Sequence, residues 1–164
     1  MHNIRNEKPS DRASVCKLIA SAFKGKPYAQ GDEQDLLDKL EKANALVLSL
    51  VAIEDNTVIG QVAFSPAQNS NNSGTWYALG PVAVTPARQG EGIGARLIET
   101  GLAELKQKGA SGCILVGDPA YYSRFGFELT PGCCPEGEPE AYFMVKSFSD
   151  QMPIGKFSFH PAFY

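Results

Sequence analysis

The chain has 164 residues, of which 43% are hydrophobic, 10% aromatic and 20% charged, the usage of a folded globular protein rather than a disordered or fibrous one. A net charge of -3 with scattered lysines and arginines offers no basic face to nucleic acid. The polar start and the lack of a long apolar run argue against a secretory leader or membrane span, so one cytoplasmic domain covering 1–164 is expected. Four cysteines without CxxC spacing and two histidines, His2 and His160, at opposite ends give no metal constellation, and Cys133 and Cys134 read as small apolar fillers without a role.

A short strand is expected near 4–7, followed by a helix over 11–23 with Val15, Leu18, Ile19, Ala22 and Phe23 at helical spacing. "KGKPYAQGDEQ" breaks that pattern, and Leu36, Leu37 and Leu40 resume it in a helix that ends near Ala43 or Asn44. "LVLSLVAIE" and "TVIGQVAFS" read as two strands of a hairpin turning at Asp55-Asn56. "PAQNSNNSG" has the composition of a loop, and "TWYALGPVAV" reads as a fourth strand bulged at Gly80-Pro81.

Ile93, Leu97, Ile98, Leu102 and Leu105 mark one face of a helix of about five turns, closed by Gly109. A fifth strand over 112–117 precedes Asp118-Pro119, an N-cap followed by proline at the first helical position, and a short helix over 120–125 that stops at Gly126. Strands near 127–129 and 141–147, the loop "PGCCPEGEPE" and an edge segment in "GKFSFHPAFY" complete the chain.

Between the fourth strand and the long helix lies "PARQGEGIG". A helix N-terminus carries unpaired N–H groups and about half a positive charge, and Gly90, Gly92 and Gly94 remove the side chains that would block an anion from it. The alternative is a tight turn and nothing more, which the strand before, the amphipathic helix after and Pro86 on the approach make the weaker reading. The same residues satisfy two phosphate-binding patterns: GxGxxA, as Gly90, Gly92 and Ala95, and QxxGxG, as Gln89, Gly92 and Gly94. The first implies a dinucleotide, with Asp118 as ribose partner, but a dinucleotide fold calls for repeated βαβ units, and a hairpin precedes the motif here.

"VAVTPARQGEGIGARLI" followed by "AYYSRFGF" resembles the acetyl-CoA motif and the tyrosine-plus-GF segment of the GNAT family of N-acetyltransferases, and the order of elements matches along nearly the whole chain. The "GDPAYYSRFGFEL" run and the tail are similar to a bacterial subgroup of predicted N-acetyltransferases. The resemblance implies an α/β fold with a mixed, mostly antiparallel sheet flanked by helices and a bulged, splayed central strand. It implies acetyl-CoA as co-substrate, no metal, and an amine acceptor that is a small molecule or peptide, and it leaves the oligomeric state open, a homodimer included. It also places the CoA pyrophosphate on the N–H groups of Gln89, Gly90, Glu91, Gly92, Ile93, Gly94 and Ala95, and the pantetheine arm along Val82, Ala83 and Val84.

By the same resemblance Tyr122 is the acid that protonates the departing thiolate, a role that suits a phenol of pKa about 10, with Tyr121 as back-up donor; the alternative for Tyr122 is an aromatic that packs the short helix onto the sheet. Many relatives carry a glutamate on the fourth strand as general base, and "TWYALGPVAV" has none. Asp118, Glu54 and His160 are the substitutes within the sequence, and water or an already neutral amine would also serve. Tyr28, Asp32 and Glu33 are candidates to face a cationic acceptor. Besides the acetyltransferase and the dinucleotide enzyme, a non-catalytic acyl-CoA sensor fits the missing glutamate.

Overall fold

The computed structural model describes residues 2–26, 33–71 and 74–164. Tyr28 and Asp32 lie outside the described residues. The chain divides into two compact units, Met1–Phe64 with Gly80–Gly101, and Ser65–Leu79 with Leu102–Tyr164.

The first unit begins with β1 (Asn3–Asn6) and α1 (Arg12–Phe23), which buries Val15, Leu18, Ile19 and Ala22 at the spacing read from the sequence. Asp11 does not cap this helix through its side chain. Its carboxylate instead accepts from the Lys8 N–H at 2.7 Å and the Arg5 guanidinium at 2.7 Å, which ties β1 to the 3-10 turn before α1 and lowers the Asp11 pKa, the arginine bond being the main cause. α2 (Leu36–Lys42) follows, then β2 (Leu48–Glu54) and β3 (Thr57–Asn69). Asp55 and Asn56 both take positive φ, 51° and 60°, as a two-residue type I′ hairpin turn requires. Val15, Leu18, Ile19, Leu37, Val51, Ala63 and Ala83 form the core of this unit.

β4 (Trp76–Val84) runs through both units, as β3 does. Past Val84 the Thr85 N–H donates to Ile59 O at 2.9 Å, so the end of β4 is anchored to β3. α3 (Ile93–Gln107) has 15 residues, about four turns rather than five. It stops where expected because Gly109, at φ +87°, allows the Gly109 and Ala110 N–H groups to fold back on Lys106 O and Leu105 O, a Schellman ending. At its start, α3 lies close over β3: a Cβ on Gly60 would meet Ile93 Cγ2 and Leu97 Cδ1 at 3.0 Å.

The second unit has a core of Trp76, Ala78, Ile114, Cys133, Cys134, Phe143, Val145, Phe157 and Phe159. It is built on β5 (Gly112–Val116), α4 (Pro119–Tyr122), β6 (Glu128–Leu129), β7 (Phe143–Ser147) and β8 (Phe157–Phe159). Hydrogen-bonded strands follow the order β1-β2-β3-β4-β5-β7-β6, with β8 on β3. The β1–β2, β2–β3, β3–β8, β5–β7 and β6–β7 pairs are antiparallel and β4–β5 is parallel. The sheet is the expected mixed, mostly antiparallel one with flanking helices, and among the described residues it lacks the repeated parallel units that a dinucleotide fold requires.

One segment departs from the loop expected after residue 65. Residues 66–69 continue β3, because Ala67, Gln68 and Asn69 pair with Phe159, Ser158 and Phe157. Loop-like composition is overridden there by a partner nearly ninety residues away.

Candidate functional site

Two features of β4 shape its second half. Pairing with β5 runs from Trp76–Gly112 to Ala78–Ile114, and β4 then continues to Val84. At the expected interruption, Gly80 holds φ +144°, which favours glycine, and the Gly80-Pro81 peptide is cis. Val82 and Val84 are half-buried and Ala83 is buried.

The loop that follows is built from a 3-10 turn, Pro86–Arg88, and two glycines at φ +85°, Gly90 and Gly92. A Cβ at either glycine would meet nothing among the described residues within 4 Å, so the space beside each is open. The first backbone bond of the helix runs from the Arg96 N–H to Gly92 O at 3.1 Å. Ile93, Gly94 and Ala95 therefore precede any helical carbonyl that could accept from them, and the positive end of the α3 dipole lies at the same place.

Gln89 acts differently from the residues after it. Its N–H closes the 3-10 turn onto Pro86 O at 3.5 Å, and its Nε2 donates to Val84 O at 3.0 Å, which fastens the loop to the end of β4. Arg88 supplies a second fastening: it donates to Glu54 on the hairpin at 2.6 and 3.1 Å and to the Glu91 carboxylate at 3.0 and 3.1 Å. These bonds raise the Arg88 pKa and lower that of Glu54, the side-chain hydrogen bond being the largest cause in both. A guanidinium between two carboxylates also offsets the negative charge that Glu91 brings to a loop otherwise suited to anions.

In the other unit, α4 begins as the sequence implies: Asp118 Oδ1 accepts the Ala120 N–H at 3.0 Å and Pro119 takes the first helical position. The helix is shorter than expected and passes into a 3-10 turn, Ser123–Phe125, that ends at Gly126 with φ +91°. Tyr122 is half-buried among Tyr121, Phe125 and Phe127, with ring centroids 5.0, 6.3 and 6.2 Å away. Gly117 makes room for it, since a Cβ there would stand 2.5 Å from Tyr122 Cε2. Tyr121 carries the Arg124 guanidinium over its ring at 4.4 Å.

The substitute bases are engaged elsewhere. Glu54 pairs with Arg88, Asp118 caps α4, and His160 Nδ1 accepts the Ala162 N–H at 3.0 Å in the turn after β8. A lowered pKa makes Glu54 a weaker base still. Glu33 is half-buried in a 3-10 turn before α2. Cys133 and Cys134 are buried, their thiols donate to backbone carbonyls, and desolvation raises both pKa values, the opposite of what a reactive thiolate needs. Among the described residues no three His, Cys, Asp or Glu side chains are grouped to hold a metal ion, and no helix is long and apolar enough to cross a membrane.

Two residues that the sequence reading passed over matter to this geometry. Arg88 was hidden inside "PARQG", where nothing signals a pairing with a hairpin 34 positions earlier. Gln61 was visible as the amide in the middle of the apolar run "TVIGQVAFS", and it donates to Pro81 O on β4.

Residues 3–130 match the model of the Acetyltransferase (GNAT) domain family. The uncharacterized N-acetyltransferase YhbS of Escherichia coli strain K12 is 37% identical over 127 residues, covering 77% of this chain and 73% of its own length. A crystal structure of YhbS from Escherichia coli in complex with CoA superposes with a TM-score of 0.89 at 32% identity, covering 99% of this chain and 91% of that one. A GNAT family acetyltransferase from Brucella melitensis, crystallised in complex with acetyl-CoA, has a TM-score of 0.88 and 44% identity over 100% of this chain and 99% of its own. Sheet topology, glycine loop and these likenesses agree against the dinucleotide enzyme, and the chain belongs to the GNAT acetyltransferase family.

Proposed function

We propose that residues 1–164 form one N-acetyltransferase domain that moves the acetyl group of acetyl-CoA to the primary amine of a small molecule or peptide in the cytoplasm. The observation that carries this reading is the open cradle at Gly90 and Gly92, at the N-terminus of α3 and directly after β4. The residues suit the co-substrate: backbone N–H groups from Gly90 through Glu91, Gly92, Ile93 and Gly94 to Ala95 would hold the pyrophosphate, with Gln89 fastening the loop through its side chain. Val82, Ala83 and Val84 lie past the last β4–β5 pair, where their backbone groups can pair with the amides of the pantetheine arm.

The chemistry asked of the protein is modest. The neutral amine attacks the thioester carbonyl carbon, a C–N bond forms, the C–S bond breaks, and Tyr122 gives its phenolic proton to the departing thiolate. The proton shed by the amine passes to water, consistent with the engagement of Glu54, Asp118 and His160 in structural contacts. Backbone N–H near Val84 polarises the carbonyl. Held geometry rather than a strong base then supplies most of the rate.

Calorimetric titration with acetyl-CoA, NAD and NADP tests the cradle, and thiol release across a panel of primary amines tests the transfer. Binding of acetyl-CoA alone, with acetyl transfer to at least one amine, is the expected result; binding of a dinucleotide alone would overturn it. The engaged bases favour one second reading, an acyl-CoA sensor, for which acetyl-CoA would bind and no amine in the panel would release thiol.

A further inference from the structure

Gln61 is fully buried at 0% exposure, opposite Val51 of β2. Its Nε2 donates to Pro81 O at 3.0 Å, while Oε1 is shielded from solvent and has no hydrogen-bond partner among the described residues. The carbonyl of Pro81 can only accept, so the nitrogen of the amide must face it. A buried amide with its oxygen unused is a poor filler, and methionine would occupy a similar volume without that cost. What glutamine adds at this position is one hydrogen bond to one carbonyl.

That carbonyl stands where β4 is least able to hold itself. Pro81 has no N–H to give to a neighbouring strand, and Gly80 before it holds φ +144°. The Pro81–Val82 peptide is planar and trans, so its carbonyl and the Val82 N–H point in opposite directions. Fixing the carbonyl on Gln61 thus presents the Val82 N–H on the far edge of β4.

We infer that Gln61 is a positioning residue for the acyl donor: it sets the Pro81–Val82 peptide plane and so orients the backbone of Val82–Val84 toward the pantetheine arm. This rests on the function proposed above. Gln61 touches no reacting atom and acts through Pro81.

The test compares two acetyl donors, acetyl-CoA and S-acetylpantetheine, the second lacking everything the glycine loop would hold. In Gln61→Met, kcat/KM is expected to fall about tenfold, the scale of one buried hydrogen bond, and by the same factor for both donors. Gln61→Glu, which when protonated can still donate to Pro81 O, is expected to stand nearer the wild type, with thermal melts confirming that each variant folds. Where Gln61→Met does not fold, Gln61→Asn keeps the amide but shortens its reach and should show the same equal loss. A folded Met or Asn variant with unchanged kcat/KM overturns the inference, as does a loss confined to acetyl-CoA, which would locate the effect at the loop. Absence of turnover in the wild type would count against the proposed function rather than against Gln61.

Discussion

A methyl group added at Gly117 would strike the ring of Tyr122, whereas one added at Gly90 or Gly92 would meet nothing within 4 Å. Both regions spend a glycine beside a residue singled out for function, for opposite reasons. Around α4 the vacated space is filled by the protein itself, and the glycine lets an aromatic ring approach the backbone. In the loop before α3 no described residue fills the vacated space, and the glycines hold φ +85°, a conformation that glycine adopts readily. A glycine whose missing side chain is replaced from within is a packing device. One whose missing side chain leaves an open face beside a helix N-terminus is, on the function proposed above, a binding device, and the two should respond differently to substitution.

The sharpest break of that distinction is Gly92→Val. Valine at a positive φ costs about 1–2 kcal/mol of stability, and its branched side chain covers the face that the pyrophosphate would occupy. Steric exclusion of the pyrophosphate predicts that acetyl-CoA affinity falls by roughly 100-fold or more while the protein stays folded. Calorimetry beside a thermal melt separates the two effects; affinity that survives would remove the account of the loop.

Tyr122→Phe comes next. The ring stays, with its contacts to Tyr121, Phe125 and Phe127, so the variant should stay folded. If Tyr122 is the proposed acid, its removal lowers kcat by about 100-fold with acetyl-CoA affinity unaltered. An equal loss of affinity and turnover would make the tyrosine a packing residue. Gly117→Ala should show the packing device directly, with a loss of about 2 kcal/mol in stability as Tyr122 is pushed aside. Acetyl-CoA affinity should be preserved in the variant that remains folded, in contrast to Gly92→Val.

The sequence disclosed the glycine loop more readily than the packing glycine. Three glycines in "RQGEGIG" between a strand and an amphipathic helix are a local pattern, and the helix, its Gly109 ending and the Asp118-Pro119 cap are local as well. Features that depend on distant partners were not legible. The extension of β3 through Asn69 depends on β8, the strut on the loop joins Arg88 to Glu54, and Gln61 reaches Pro81 on another strand. Nor could residue spacing show that Gly117 exists for Tyr122, since a glycine before an N-cap looks like any other turn residue.

The smallest effect concerns how firmly the glycine loop, which binds the co-substrate in the proposed function, is held before a ligand arrives. Arg88 is fastened by Glu54 and Glu91, so the loop is fixed by an ion pair at the surface rather than by buried side chains. Such pairs contribute little, and Glu54→Gln is expected to weaken acetyl-CoA binding only about two- to threefold. The Glu54 pKa lies below its ordinary value in the folded protein, so the pair is fully formed above that ordinary value and is lost as pH falls through the lowered one. The difference between wild type and Glu54→Gln should therefore be present at neutral pH, narrow on acidification, and shrink in added salt. Tighter binding in the variant would reverse the reading of Arg88. The guanidinium would then be a phosphate ligand held back by Glu54, and the loop would owe its shape to the glycines and Gln89 alone.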